Sequence, residues 1–190
     1  MKKHTIPAVI FAGGKSSRMG KDKALLPFGD ETTLAAYQYH RLASLFETVY
    51  LSAKEEKFIF EAPIIKDHYE THSPLVGIVT AFETLEADAL FILSVDAPFV
   101  DAAIIHTLIT SWNGEDAVIA RNFGEVQPLC GLYSQTILPL AKQEMERGNH
   151  KLKMLLDEAK TRYVDFEDDK AFLNLNHPHE YQKALQIISF

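Results

Sequence analysis

An α/β fold with a largely parallel central sheet is the fold class that the sequence predicts. Short apolar runs rich in β-branched residues alternate along the chain with segments of helical periodicity. The run at residues 89–95, ALFILSV, lacks polar alternation, which is typical of a strand covered on both faces. A length of 190 residues suits one hydrophobic core, so we expect a single domain over residues 1–190.

The first half of the chain reads as strand and helix in alternation. An apolar strand at residues 6–11 runs into the paired glycines Gly13 and Gly14. Thr32 or Thr33 can cap a helix that continues to about Phe46. The further elements predicted here are a strand at 48–51, a short amphipathic piece at 55–61, a strand at 63–66, a helix at 74–85 that begins with a proline, and the strand at 89–95.

The second half continues the same alternation. Asp101 can cap a helix that runs to about Trp112, and residues 121–127 are expected to form a loop between two strands. The predicted elements are those strands at 117–120 and 128–133, helices at 134–147 and 151–159, a strand at 162–166 and a terminal helix at 179–188.

Composition narrows the function classes. The net charge of −7 disfavours nucleic acid as a partner, because phosphate backbones require an extended basic face. No segment approaches the roughly 18 consecutive apolar residues of a membrane span. The N-terminal lysines and apolar run imitate a signal peptide only faintly, and cleavage there would remove the glycines. Cys130 is the single cysteine, so an internal disulfide is excluded and a cytoplasmic location is expected.

Residues 12–23, AGGKSSRMGKDK, form the most informative stretch, which we call the glycine loop. Glycine lacks Cβ, so the backbone can take a positive φ and approach a ligand closely. From Gly13 to Lys23 the loop has four cations and one anion, a local charge of +3. Backbone N–H groups together with Arg and Lys are suited to a polyphosphate. A solvated basic turn is the alternative interpretation.

Two common phosphate-binding patterns do not fit this loop. Gly14 and Gly20 enclose five residues instead of the four of a P-loop, and Lys21 precedes Asp22 instead of Ser or Thr. The dinucleotide pattern GxGxxG is also missing from the loop. The spacing that is present, GGxxxRMGxxK, resembles the signature of nucleotidyltransferases, and the longer run FAGGKSSRMGKDKALLPF most resembles the molybdenum cofactor guanylyltransferase (MobA) family.

Later segments extend the resemblance to MobA over most of the chain, in the same order. They are SPLVGI at residues 73–78, SVDAPF at 94–99, QPLCGLY at 127–133 and NLNHPHEY at 174–181. The resemblance implies a three-layer, Rossmann-like nucleotidyltransferase fold with helices on both faces of a mostly parallel sheet. It also implies transfer of GMP from GTP to molybdopterin carrying molybdenum, with release of pyrophosphate, and is compatible with transient contact with molybdoenzymes or their chaperones.

Polar residues follow several of the predicted strands, where ligands of such sheets collect. Asp96 ends an otherwise apolar strand, where a carboxylate is costly unless it is paired or binds a metal. Oxygen-rich Mg²⁺ sites typically use one or two carboxylates together with phosphate oxygens. Closing a turn before Pro98 is the alternative role for Asp96. Ser52 and Asp67 are also expected just past strand ends.

The resemblance assigns roles residue by residue. Arg18 and Lys23 are expected to contact phosphate because Arg offers a forked donor set and Lys a point charge, and with Asp96 they are the predicted catalytic residues. The resemblance makes Asp96 the Mg²⁺ ligand. The nucleotide-binding residues that it implies are Ala12, Gly13, Gly14, Lys23, Ser52, Asp67 and Asp96. Asn174 and Asn176 are candidates for the pterin side or the outer shell of the metal, with a simple turn before Pro178 as the alternative.

Three departures from the family pattern leave roles open. Ser52 stands where some relatives have Asn, Phe11 stands where Leu is usual, and the tail has His177 and His179 in place of Thr and an acidic residue. Whether guanine is read by Asp67 or by main-chain groups also stays open. The alternative functions are a cytidylyltransferase for the same pterin, a sugar-1-phosphate nucleotidyltransferase, and a nucleotide-binding regulator without catalysis.

Overall fold

The strands lie together in one mixed sheet. A computed structural model describes residues 2–13, 22–71 and 73–188. The strands of this part are β1 (Ala8–Phe11), β2 (Val49–Ala53), β3 (Ile64–Lys66), β4 (Ala89–Ser94), β5 (Ala117–Asn122), β6 (Glu125–Ser134) and β7 (Thr161–Phe166). Their order across the sheet is β3-β2-β1-β4-β6-β5-β7.

The helices cover both faces of this sheet. They are α1 (Leu34–Leu45), α2 (Pro74–Leu85), α3 (Ala102–Thr110), α4 (Leu138–Glu146), α5 (Leu152–Glu158) and α6 (Pro178–Ile188). Ala8 and Ile10 of β1 pack with α1, α3 and α6, whereas Val9 and Phe11 pack with α2, α4 and α5. Successive residues of a strand point to opposite faces, so β1 contributes to both hydrophobic cores. The predicted three-layer α/β fold is confirmed.

Three helices begin at a side-chain cap, of which those at Thr33 and Asp101 were predicted and the one at Ser73 was not. The side chain of Thr33 accepts from the N–H of Ala36, and Ser73 and Asp101 cap α2 and α3 in the same way. Each cap satisfies one of the N–H groups that the first helical turn leaves unpaired. Residues 55–61, predicted as an amphipathic piece, contain no helix.

The sheet departs from parallel pairing at β6, which is antiparallel to both β4 and β5. A two-residue hairpin at Phe123 and Gly124 joins β5 to β6, and both residues have positive φ, as tight hairpins require. Residues 121–127, predicted as a loop, therefore lie mostly in these two strands. The prediction of a loop was wrong here because Phe-Gly is not the Asn-Gly or Asp-Gly signal of such a turn.

Among residues 2–13, 22–71 and 73–188, no helix combines the length and the apolar character needed to cross a bilayer.

Candidate active site

Several of the predicted site residues that the structure describes lie along one edge of the sheet. β1, β2, β3 and β4 are mutually parallel, so their carboxyl ends meet at the same edge. Asp67 directly follows β3 and Asp96 follows β4, with β2 and β1 between them. Three strand spacings of about 4.8 Å put the ends of β3 and β4 about 14 Å apart. That edge is long enough for an extended ligand to touch both carboxylates.

Asp96 contacts Lys23, the last residue of the glycine loop. Lys23 begins a short 3₁₀ helix, and its ammonium group forms an ion pair with Oδ2 of Asp96. The Nζ atom of Lys23 also lies 3.2 Å from Oδ1 of Asn176, to which it donates. The Asp96 and Lys23 side chains are 13% and 20% exposed, so solvent screens this pair less than a surface pair. The structure thus joins residues 23, 96 and 176.

Lys57 holds the two described ends of the glycine loop together. Its Nζ donates to the carbonyl oxygen of Ala12 at 3.0 Å and forms an ion pair with Asp22. The other carboxylate oxygen of Asp22 accepts from the N–H of Ala24 at 3.0 Å. Sequence analysis missed Lys57, because its contacts lie 35 and 45 residues away and no local pattern marks it.

The predicted nucleotide-binding residues differ in burial and in their contacts. Ala12 is buried, and its N–H donates to the carbonyl oxygen of Ser52 at 3.0 Å. Gly13 is exposed and does not have a positive φ. A Cβ on Gly13 would lie 3.8 Å from Ala53 and Ser52, an ordinary contact, so none of the described neighbours requires glycine there. Gly14 and Arg18 lie outside the described residues.

Ser52 lies inside β2 and not past its end, where it was expected. It is buried and pairs in register with Phe11. A Cβ on Gly77 would approach the Phe11 ring to 2.5 Å and Oγ of Ser52 to 3.4 Å. Glycine at position 77 therefore allows α2 to pack closely against β1 and β2. The short side chain of Ser52 faces this tight contact.

A cleft of about 420 Å³ adjoins Asp96 on the side of β6, and we call it the β6 cleft. Most of its apolar lining residues are buried and form what we call the base, whereas its polar and charged lining residues are partly or fully exposed and form what we call the rim. Apolar lining residues are Pro74, Ala97, Val100, Pro128, Leu129, Cys130, Leu152 and Phe172. Polar and charged lining residues are Ser94, Asp96, Gln127, His150, Lys151, Lys153, Asn174 and Asn176.

One wall of the β6 cleft is a bulge in β6. Ile119 pairs with Gly131 and the next residue, Ala120, pairs with Gln127, so residues 128–130 have no partner on β5. Those three residues line the cleft. Pro128 fits this segment because it has no N–H to place in a ladder, and its carbonyl oxygen accepts from the Tyr133 hydroxyl at 2.6 Å. Proline within a strand-like run was the sequence signal for this irregularity.

The rim of the β6 cleft is assembled from distant segments. Nδ2 of Asn174 donates to Oε1 of Gln127 at 3.3 Å. The ring of His150 lies 3.2 Å from the hydroxyl of Ser73, the cap of α2. Sequence analysis did not select His150, which no motif marks. Lys151 and Lys153 are exposed at the rim.

Cys130 belongs to the apolar base of the cleft. It is 3% exposed, and burial raises the pKa of its thiol to about 12. A buried neutral thiol acts as a small apolar group. Cys130 is therefore a core residue.

The donor set fits a divalent cation that is shared with phosphate. In the part of the chain that the structure describes, no three His, Cys, Asp or Glu side chains cluster as a metal cage. Mg²⁺ instead favours one or two carboxylates completed by phosphate oxygens and water. A carboxylate has about four lone-pair positions, so Asp96 can accept from Lys23 and also coordinate a cation.

Comparison with known proteins agrees with this geometry. Residues 8–163 match the model of the MobA-like NTP transferase domain. The molybdenum cofactor guanylyltransferase of Campylobacter jejuni is 36% identical over 186 residues, which cover 96% of this chain and 97% of that protein. The guanylyltransferase of Helicobacter pylori strain J99 is 33% identical and covers 97% and 90%.

A solved structure shows the same fold. The molybdopterin-guanine dinucleotide biosynthesis protein A of Archaeoglobus fulgidus superposes with a TM-score of 0.83 at 19% identity, covering 97% of this chain and 99% of that one. Taken with the matched domain model and the relatives above 30% identity, the chain belongs to the MobA-like family of nucleotidyltransferases, which includes the molybdenum cofactor guanylyltransferases.

Proposed function

We propose that this enzyme transfers GMP from GTP to Mo-molybdopterin, giving the molybdopterin guanine dinucleotide cofactor and pyrophosphate. The observation that carries the proposal is the ion pair of Lys23 and Asp96, which lies where the end of the glycine loop meets the β6 cleft. A cation and a carboxylate at that junction suit a reaction between two phosphorylated molecules, one on each side.

GTP is proposed to lie along the carboxyl ends of β3, β2, β1 and β4. Asp67 would then face the guanine side and Lys23 the phosphates, at the two ends of an edge of about 14 Å. Guanine presents N1–H and N2–H₂ donors, which a carboxylate or a main-chain carbonyl can accept. Lys57 fixes the carbonyl of Ala12 and the side chain of Asp22, and so would hold the glycine loop in shape around the phosphates.

The terminal phosphate of the pterin is the proposed nucleophile. Its oxygen forms a bond to the α-phosphorus of GTP, and the bond to the bridging oxygen of the β-phosphate breaks, so pyrophosphate leaves with the electron pair. A phosphate is already ionised near neutral pH, since its second pKa is about 6. The site therefore requires no strong general base. Repulsion between two anions is the main obstacle to the reaction.

Cationic groups would overcome that repulsion. Lys23 offers a point charge with three donors, and Arg18 offers a planar fork of donors suited to phosphate. Asp96 would hold Mg²⁺, which supplies charge neutralisation at the α-phosphate and the leaving pyrophosphate. Asn176 accepts from Lys23 and would set the direction of its ammonium group.

The β6 cleft is the proposed site for the pterin acceptor. Its apolar base offers a surface for a flat ring system, and the amides of Asn174 and Gln127 can pair with ring nitrogens and carbonyls. Lys151 and Lys153 at the rim add positive charge for the acceptor phosphate. We include in the proposal a cytoplasmic location and transfer of the product by transient contact with molybdoenzymes or their chaperones.

Nucleotide choice tests this function against its nearest alternatives. With Mo-molybdopterin as acceptor and Mg²⁺ present, pyrophosphate release should be fast with GTP and slow with CTP. A clear preference for CTP would assign the chain as a cytidylyltransferase instead. Turnover of GTP with a sugar 1-phosphate, and none with the pterin, would indicate the sugar nucleotidyltransferase.

A further inference from the structure

Gln38 of α1 lies beneath the turn that carries Asp96, although it is distant in sequence. Its side chain is completely buried, which is unusual for glutamine. Nε2 of Gln38 lies 3.3 Å from the carbonyl oxygens of Ser94 and Val95, and 3.0 Å from that of Ala97. These carbonyls belong to the residues that flank Asp96 on both sides.

Arg41, one helical turn further along α1, fixes the orientation of that amide. Its Nε and Nη2 both donate to Oε1 of Gln38, at 3.1 and 2.6 Å. A carbonyl held by a planar fork leaves the NH₂ group facing the turn. The Nη1 of Arg41 donates in addition to the carbonyl oxygen of Val100.

The carbonyl groups of this turn receive hydrogen bonds from several parts of the fold. The N–H of Ala97 donates to Ser94 across the turn at 3.2 Å, and the N–H of Leu175 donates to Asp96 at 2.9 Å. Gln38 and Arg41 donate to the carbonyls of Val95, Ala97 and Val100. Buried carbonyls without a donor are costly, so this pair makes the observed conformation of the turn favourable.

We propose that Gln38, oriented by Arg41, is a positioning residue for Asp96 in nucleotidyl transfer. The turn has few conformations that satisfy all of its carbonyls, and the observed one directs Asp96 toward Lys23. Loss of the buried amide leaves the turn free to relax, which displaces the carboxylate from the phosphates and the cation. Displacement of about 1 Å at a reacting centre can cost about a hundredfold in rate.

This inference rests on the proposed role of Asp96, and the experiment separates the two. Gln38→Met keeps the approximate volume and removes the donor. Gln38→Glu keeps an oxygen for Arg41 but presents an acceptor to the carbonyls of the turn. Arg41→Lys keeps the charge and loses the fork. Leu42→Val is the matched control, a buried change on the same helix that involves no hydrogen bond to the turn.

Four quantities are measured for each folded variant. They are the kcat and the KM for GTP in pyrophosphate release, the Mn²⁺ dissociation constant in the presence of GTP by electron paramagnetic resonance, and the melting temperature. We expect both Gln38 variants to lower kcat about tenfold or more and to raise the Mn²⁺ dissociation constant about fivefold or more. The KM for GTP should stay within about twofold, because the glycine loop also contributes to binding of the nucleotide. Arg41→Lys should have smaller effects of the same kind. Leu42→Val should lower the melting temperature and leave kcat, the KM for GTP and the Mn²⁺ dissociation constant unchanged.

The inference is overturned if the folded Gln38 variants behave like Leu42→Val, with an altered melting temperature but unchanged kcat and Mn²⁺ affinity. Should Gln38→Met fail to fold, Gln38→Glu and Arg41→Lys decide by the same criteria. An active Asp96→Asn variant would remove the proposed role of Asp96 itself. An inactive Asp96→Asn variant beside fully active Gln38 variants would remove only the inference.

Discussion

The sheet edge at β1, β2 and β3 differs from the β6 cleft in how its polar groups are brought together. At the sheet edge, the glycine loop directly follows β1 in sequence, and Lys57 contacts both of its described ends, at Ala12 and Asp22. At the β6 cleft, side chains from β6, the start of α5 and the segment before α6 meet around an apolar base. If the glycine loop binds the nucleotide and the β6 cleft binds the pterin, as proposed, a compact motif specifies the donor side of this transferase, whereas its acceptor side depends on distant parts of the fold.

Lys23 and Asp96 lie at the boundary between these two regions. Lys23 comes from the end of the glycine loop, and Asp96 lines the β6 cleft. A change at the boundary should therefore impair both substrates, while a change confined to one region should impair one. The following experiments test that division.

Asp96→Asn should have the largest effect. It keeps the size of the side chain but removes the charge that pairs with Lys23 and would hold Mg²⁺. We expect kcat to fall by about 10² to 10³, as for other groups that stabilise charge in a transition state. Steady-state pyrophosphate release and a melting curve provide the test, with Asp30→Asn in an exposed turn as the control. Unchanged turnover would remove Asp96 from the metal site.

Lys23→Ala should come next. Loss of a charged hydrogen bond to phosphate costs roughly 1.5–3 kcal/mol, which is about a 10- to 150-fold loss in kcat/KM for GTP. Lys183→Ala, at an exposed position of α6, controls for loss of a positive charge. Kinetics at varied GTP and fixed acceptor measure the effect. Equal kinetics in Lys23→Ala and Lys183→Ala would contradict a phosphate contact.

The double variant Lys151→Ala/Lys153→Ala tests the β6 cleft alone. Both lysines are exposed at its rim, so their charges are partly screened. We expect the KM for the pterin acceptor to rise about tenfold and the KM for GTP to stay within about twofold. Initial rates with each substrate varied in turn separate the two constants. A larger rise in the KM for GTP would place the nucleotide, not the pterin, in this cleft.

Cys130 should show the smallest effect on activity. Because burial raises the pKa of its thiol to about 12, the folded protein keeps the thiol neutral and resistant to iodoacetamide at pH 8. Mass spectrometry should find rapid alkylation only in urea. In the unfolded chain the thiol ionises near pH 8.5, whereas in the folded protein it stays neutral up to about pH 12. Ionisation therefore favours the unfolded chain, and the free energy of unfolding should fall as the pH rises from about 8.5 to 12. Cys130→Ala should weaken that pH dependence; rapid labelling of the folded protein would show that the base of the cleft is open.

Periodicity and strand-end polarity were sufficient to predict most of the order of the elements and the caps at Thr33 and Asp101. They failed where the decisive contact is remote. Lys57 contacts Ala12 across 45 residues, and Gln38 reaches Ala97 across 59, so no local pattern reports either side chain. The antiparallel strand β6 was half missed for a similar reason, since its pairing depends on a hairpin with an atypical turn. Single-domain organisation stays a prediction.

Residues 128–130 of β6, which no residue of β5 pairs with, carry a consequence for engineering the enzyme. They form a wall of the β6 cleft, and the width of this wall depends on how many residues separate Gln127 and Gly131, which both pair with β5. Single substitutions at residues 128–130 would change the chemical character of this wall but not its width. To reshape the enzyme for a bulkier or slimmer acceptor, the first step should be to lengthen or shorten that three-residue insert.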